Sequence, residues 1–319
     1  MKKLLRTALT IGIIFIFVGG LIFFIGFAAS GFNFNTLSGV RHENTTKTES
    51  SDTKYDSITI DFDTVDINIV FDQSADAVSI SYPLSFNKNG DALNEVTVTE
   101  SENGIILKER VIWKRGLMFW GIKTPVLTVT IPAERSVSLN LETDTGDIVF
   151  IGDGQLENLS ISVDTGDIKA GDSEISVTED VNLESDTGDA KFKSIIANNF
   201  IAELDTGDLF LGDATVFNNM DISTDTGKIN FTGTIIADTI KIDVDTGDVR
   251  AKKAVIDAQT ITVKSDTGDV SATLAGTKSD YTILISLSTG DSNVENQSGG
   301  ARSFSLKSST GDCNVFFTE

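Results

Sequence analysis

The stretch Leu139-Asn140-Leu141-Glu142-Thr143-Asp144-Thr145-Gly146-Asp147-Ile148-Val149-Phe150 decides the fold. Leu139 and Leu141 are apolar and their neighbours polar, the period-two pattern of a strand with one buried face. Ile148 and Phe150 open a second such strand. Continued through the motif, the alternation turns Thr145 inward and Asp144 outward. It then breaks at Gly-Asp, where a turn needs a residue that tolerates positive φ.

The pattern recurs. Asp-Thr-Gly-Asp begins at Asp144, Asp164, Asp186, Asp205, Asp245 and Asp266, with near copies at Asp225, Ser288 and Ser309. Successive motif glycines lie 20, 22, 19, 20, 20, 21, 22 and 21 residues apart. Apolar pairs precede the motif (Leu159 and Ile161, Ile240 and Ile242, Phe304 and Leu306) and follow it (Ile168 and Ala170, Leu209 and Leu211). A third apolar stretch comes later in several repeats, as at Ile195-Ile196 and Ile235-Ile236. A period of about 20 residues with three strands each predicts an all-β, right-handed parallel β-solenoid, its coils stacked in chain order at about 4.8 Å. No coil buries its own apolar face, so the ends need caps. Residues 138–319 read as the regular coils. Residues 55–137 read as an N-terminal β cap or an irregular solenoid start, because Asp63-Thr64-Val65-Asp66 is a worn copy of the motif.

Thr7 to Ala29 contains no charged residue. As a helix it spans about 35 Å, enough for a bilayer core of about 30 Å. Lys2, Lys3 and Arg6 precede it, which predicts a cytoplasmic tail at 1–6, a transmembrane helix at 7–29 and the remainder outside the cell. A cleaved signal peptide is the competing reading, but the apolar run is longer than a signal core. Residues 30–54 are polar and without period, as in a flexible linker. The chain is thus expected to be a single-pass membrane protein.

The 319 residues carry 25 Lys and Arg against 47 Asp and Glu, a net charge of −22. Such a surface repels nucleic acid and suits cations or basic partners. Its one cysteine, Cys313, excludes an intrachain disulfide and falls at a core position; lone His42 lies in a polar segment. Asp-Thr-Gly is also the aspartic-protease tripeptide, but that chemistry needs two opposed aspartates sharing a proton. Stacked coils set them in a line instead. The outward acids are likewise too repetitive to single out the carboxylate pair of a glycan-cleaving groove.

Calcium is the better rival to a purely structural role. The candidate ligands are Asp144, Asp147, Asp164, Asp167, Asp186, Asp189, Asp205, Asp208, Asp245, Asp248, Asp266 and Asp269. Rows of carboxylates repel, and a cation between them relieves this. Turn-forming aspartate accounts for the same residues with no metal, and Lys228 interrupts the row. One segment differs in kind: 111–123 is apolar and basic in an acidic chain. Its Trp113, Lys114, Arg115, Phe119 and Trp120 are either the cover of an open solenoid end or a contact for a membrane or partner.

From Ile58 to Val315 the chain resembles a bacterial putative-adhesin family, membrane-anchored envelope proteins built on a domain of unknown function with repeated Thr/Ser-Gly-Asp turns. The features are Ile58-x-Ile60, Asp66-x-Asn68-x-Val70, Leu127-x-Val129-x-Ile131-Pro132 and the Thr-Gly-Asp corners. Some relatives belong to Gram-positive envelope-stress operons. The resemblance implies an all-β stacked fold, a surface location and no established catalytic activity, and it carries no agreed functional residues; no cofactor is expected, calcium being the one possibility. The expected function is a non-enzymatic envelope protein that meets a protein, peptide or wall partner in adhesion or stress response. Its alternative is a calcium-dependent adhesion or sensing module.

Overall fold

The computed structural model describes residues 40–50, 54–87, 89–112 and 124–319. The apolar run 7–29 and the segment 113–123 lie outside them. Among the described residues no helix is long and apolar enough to cross a membrane.

Among the described residues twenty-four strands join in one hydrogen-bonded sheet, which coils into a three-sided solenoid. One coil shows the plan. Side A is Ser138–Thr145, side B is Ile148–Ile151 and side C is Gly154–Leu156. Each strand pairs in parallel with its equivalent in the next coil: Leu139 with Leu159, Ile148 with Ile168, Gly154 with Ile175. Alternate side chains turn inward and form one core running the length of the stack, including Ile58, Leu139, Ile161, Phe192, Phe200, Ile242 and Phe304. Each fully buried Val, Leu, Ile or Phe contributes about 1.5–3 kcal/mol. Cys313 is among them, wholly buried, and burial pushes its thiol up to about 11.

Two expectations need correction. The motif threonine does not point inward: Thr145, Thr165, Thr187 and Thr206 are all exposed. The alternation breaks one step earlier than expected. Val163 pairs with Ser185 and Thr165 with Thr187, while the intervening aspartates have no opposite number. The chain bends at the first Asp, and the residue before it is the last to face the core.

Coils also do not stack in chain order at the ends. Ser57–Thr64 lies between Gly104–Val111 and Ser138–Thr145. Arg302–Thr310 lies between the 260–267 segment and Tyr281–Thr289. At both ends the strand nearer the terminus is tucked one place inward. Sequence cannot show this, because the inserted strand and its outer neighbour have the same apolar pattern.

Side C begins late. The strand Asp66–Asp72 leaves by a turn toward Ser79–Phe86, which runs antiparallel to Val126–Pro132. After Pro132 the chain crosses directly to Ser138. Arg41–Thr48 and Asn94–Ser101 complete this end as antiparallel additions.

Candidate functional site: the Thr-Gly-Asp corner column

The corners between sides A and B form the most repeated chemical feature of the molecule. Each motif glycine is set by the coil before it. Gly188 has φ +151°, and a Cβ there would lie 1.9 Å from the carbonyl oxygen of Gly166. The same approach recurs from Gly146, which meets Val65 O, to Gly290, which meets Gly311 O. Glycine is therefore demanded by close stacking as well as by φ. Next to Val65, Pro125 O accepts the Asp66 N–H at 2.9 Å.

The second aspartate of each motif closes the corner. The amide of Asp147 donates to Asp66 Oδ1 at 3.0 Å, Asp167 to Asp147 at 2.9 Å, Asp189 to Asp167 at 2.9 Å and Asp208 to Asp189 at 2.8 Å. Lys228 donates to Asp208 at 2.8 Å but has no carboxylate to pass on. The ladder restarts with Asp269 donating to Asp248, Asp312 to Asp269 and Asp291 to Asp312. Each carboxylate thus satisfies a backbone amide that the bend removes from the sheet ladder.

Charge follows from this arrangement. Burial opposes the ionised form of Asp167, but the amide of Asp189 and the ammonium of Lys169 outweigh it and hold the carboxyl below its usual range. Asp248 is held low first by the Asp269 amide, against some burial, and then by Arg250 and Lys228. Lys169 bridges Asp147 at 2.6 Å and Asp167 at 3.0 Å.

The structure thus separates the candidate metal ligands into two columns. Asp147, Asp167, Asp189, Asp208, Asp248 and Asp269 belong to the hydrogen-bonded ladder. Asp144, Asp164, Asp186, Asp205, Asp245 and Asp266 stand exposed in an outer file. Among the described residues no three His, Cys, Asp or Glu gather where they could hold a metal ion. Sequence reading left Asp66, Asp291 and Asp312 off the candidate list, although the motif copies signalled all three by spacing. It also missed the inward hydroxyls of Ser185, Thr224, Ser265 and Ser308, buried without a hydrogen-bond partner. Trp113, Lys114, Arg115, Phe119 and Trp120 fall outside the described residues.

A stacked all-β solenoid whose coils are fastened by glycine and aspartate corner ladders defines the class. The chain belongs to the Toastrack DUF4097 family, whose model matches residues 55–316. The resemblance carried by the corners therefore holds at the level of the family. No curated protein matches the chain. Solved structures similar to it include a putative adhesin from Bacteroides fragilis, at 12% identity over 86% of this chain and 97% of that one, TM-score 0.43. Another putative adhesin, from Parabacteroides distasonis, is 12% identical over 87% and 97%, TM-score 0.40. A protein of the same organism described as a putative lipid binding protein is 13% identical over 87% and 97%, TM-score 0.37.

Proposed function

We propose that the protein is a non-catalytic scaffold of the cell envelope. An N-terminal helix anchors it in the membrane, and a rigid acidic solenoid is presented outside to partners, in adhesion or in a response to envelope stress. The observation that carries this reading is the fate of the repeated carboxylates. The inner column is spent on backbone amides, so the most conspicuous acids of the chain hold the scaffold together. Such a column differs from the opposed, proton-sharing pair that acid catalysis by aspartate needs.

The N-terminal end is the one proposed to face the membrane. The described chain enters at Arg41, opposite Phe86, and Phe86 bridges to Ala92. Leu93 O accepts the Ile112 N–H and Pro125 O the Asp66 N–H. Chain entry and both flanks of the tryptophan segment therefore lie at the same end of the stack. Trp113, Phe119 and Trp120 with Lys114 and Arg115 have the composition of an interfacial contact.

The test is protease shaving of intact cells that make the full chain with a tag after Glu319. The chain should fractionate with membranes and lose its tag to external protease. Recovery in the soluble cytoplasmic fraction, or a tag protected in intact cells and cleaved only after lysis, overturns the reading.

A further inference from the structure

Side C has an open edge. Its first strand, Gly154–Leu156, pairs only with the following coil, because the two coils nearer the N-terminal end have no third side. In a parallel ladder alternate residues bond to opposite neighbours. Leu156 O accepts the Thr178 N–H at 2.9 Å, from the next coil. Leu156 is thus committed to that coil, and the N–H and C=O of Gln155 face the other way. Nothing in the described structure bonds to them.

Gln155 lines a groove of about 700 Å³ with Gln73, Pro132, Glu134, Asp153 and Ile196 on its walls. The turns at 73–75 and 132–134 line the same groove. Ile196 is 39% exposed and gives the groove an apolar spot beside its acids. Glu134 has no partner among the described residues. Asp153 spends Oδ1 on the Glu174 N–H at 2.8 Å, and Glu174 meets Lys193 at 3.3 Å. Arg135, next to Glu134, is turned away to Glu49 and Asp56.

We propose that this edge binds an extended basic peptide segment as an added strand. Backbone groups supply affinity and the alternating side chains supply selection. Cationic residues meet Glu134 and Asp153, and apolar ones meet Pro132 and Ile196. The proposal stands on this edge whether or not the chain is membrane-tethered.

The probe is a fluorescein-labelled Lys-Val-Lys-Val-Lys-Val peptide, titrated by anisotropy against the full chain in nanodiscs. Its counterparts carry Glu for Lys or N-methyl groups on alternate amides. The lysine peptide should bind at least tenfold tighter than either. Among the backbone hydrogen-bonding groups Q155P removes the outward N–H alone, a place where an edge strand accepts proline. It should weaken binding at least tenfold with the melting temperature held. The E134Q/D153N pair should weaken lysine-peptide binding several-fold and narrow the preference over the glutamate peptide. On the unaltered protein, hydrogen exchange should slow at 153–156 when the peptide is added, a readout independent of how Q155P folds. Equal binding by the N-methylated peptide, unchanged binding by folded Q155P, or no slowing on side C overturns the proposal. So does a dimer in light scattering that Q155P converts to monomer, which would give the edge to a second copy of this chain.

Discussion

At the scale of the residue, the corner glycines are the least replaceable positions. In Gly188→Ala the new Cβ meets the Gly166 carbonyl oxygen at 1.9 Å and holds φ at +151°. Overlap and strain together should cost about 2–4 kcal/mol in a denaturant titration. The inward hydroxyls carry the opposite prediction. Ser265 Oγ is buried without a partner, so Ser265→Ala should raise stability by about 1 kcal/mol. The ladder gives a pH dependence. Asp167 and Asp248 have folded-state pKa values below their unfolded ones. Their contribution is full above the unfolded value of about 3.9 and disappears as pH falls through the folded values. Glu109, raised by burial, works in the other direction. The melting temperature should therefore drop steeply below pH 4. The D167N/D248N pair, which keeps an oxygen acceptor at each place, should drop less over the same range. Equal drops would remove the ladder from the account.

At the scale of the element, what sequence reveals and what it hides have one cause. Apolar residues five and three places before each motif marked side A, because one inward face must be buried. That same regularity made the strands interchangeable. Phe304 and Leu306 offer the pattern of Ile283 and Ile285, so nothing in their spacing tells which packs on Ile261 and Val263. The structure chooses Phe304 and Leu306. The corner column was half legible: spacing found its aspartates, but not that one column faces the neighbouring coil's amide and the other solvent. The groove at Gln155 was not legible, since it comes from strands that two coils lack. The tucked strand has a measurable consequence. Tyr281–Thr289 pairs with Arg302–Thr310, so removing residues 302–319 strips the partner from a strand the deletion never touches. Ile283 and Ile285 donate outward to Gln297 and Asn296, so it is at 282, 284 and 286, whose amides face the lost strand, that hydrogen exchange should rise toward the rate of the unfolded chain. Retained protection there would mean that the strand closes directly onto 260–267, making the order of the last coils a choice of folding and not of pairing.

At the scale of the whole molecule, net charge −22 sits on a stack that places like charges in file. Two unit charges about 4.8 Å apart in water repel by about 0.9 kcal/mol, and the outer file runs from Asp144 to Asp266. Lysines relieve neighbouring rows: Lys241 meets Asp221 at 3.0 Å and Lys264 meets Asp243 at 2.9 Å. What remains is exposed and open to screening, with a Debye length of about 10 Å at 0.1 M salt. Calcium asks for more, six to eight oxygens converging on one point. A single outward file does not converge, and the inner carboxylates already hold amides. Raising sodium chloride from 0.02 to 0.5 M should therefore raise the melting temperature by a few degrees. Calcium at 5 mM, with ionic strength matched, should then add no more than magnesium does. A rise of several degrees specific to calcium would mean that the two columns move together around the ion, and the solenoid would be a cation-set module in place of one complete on its own.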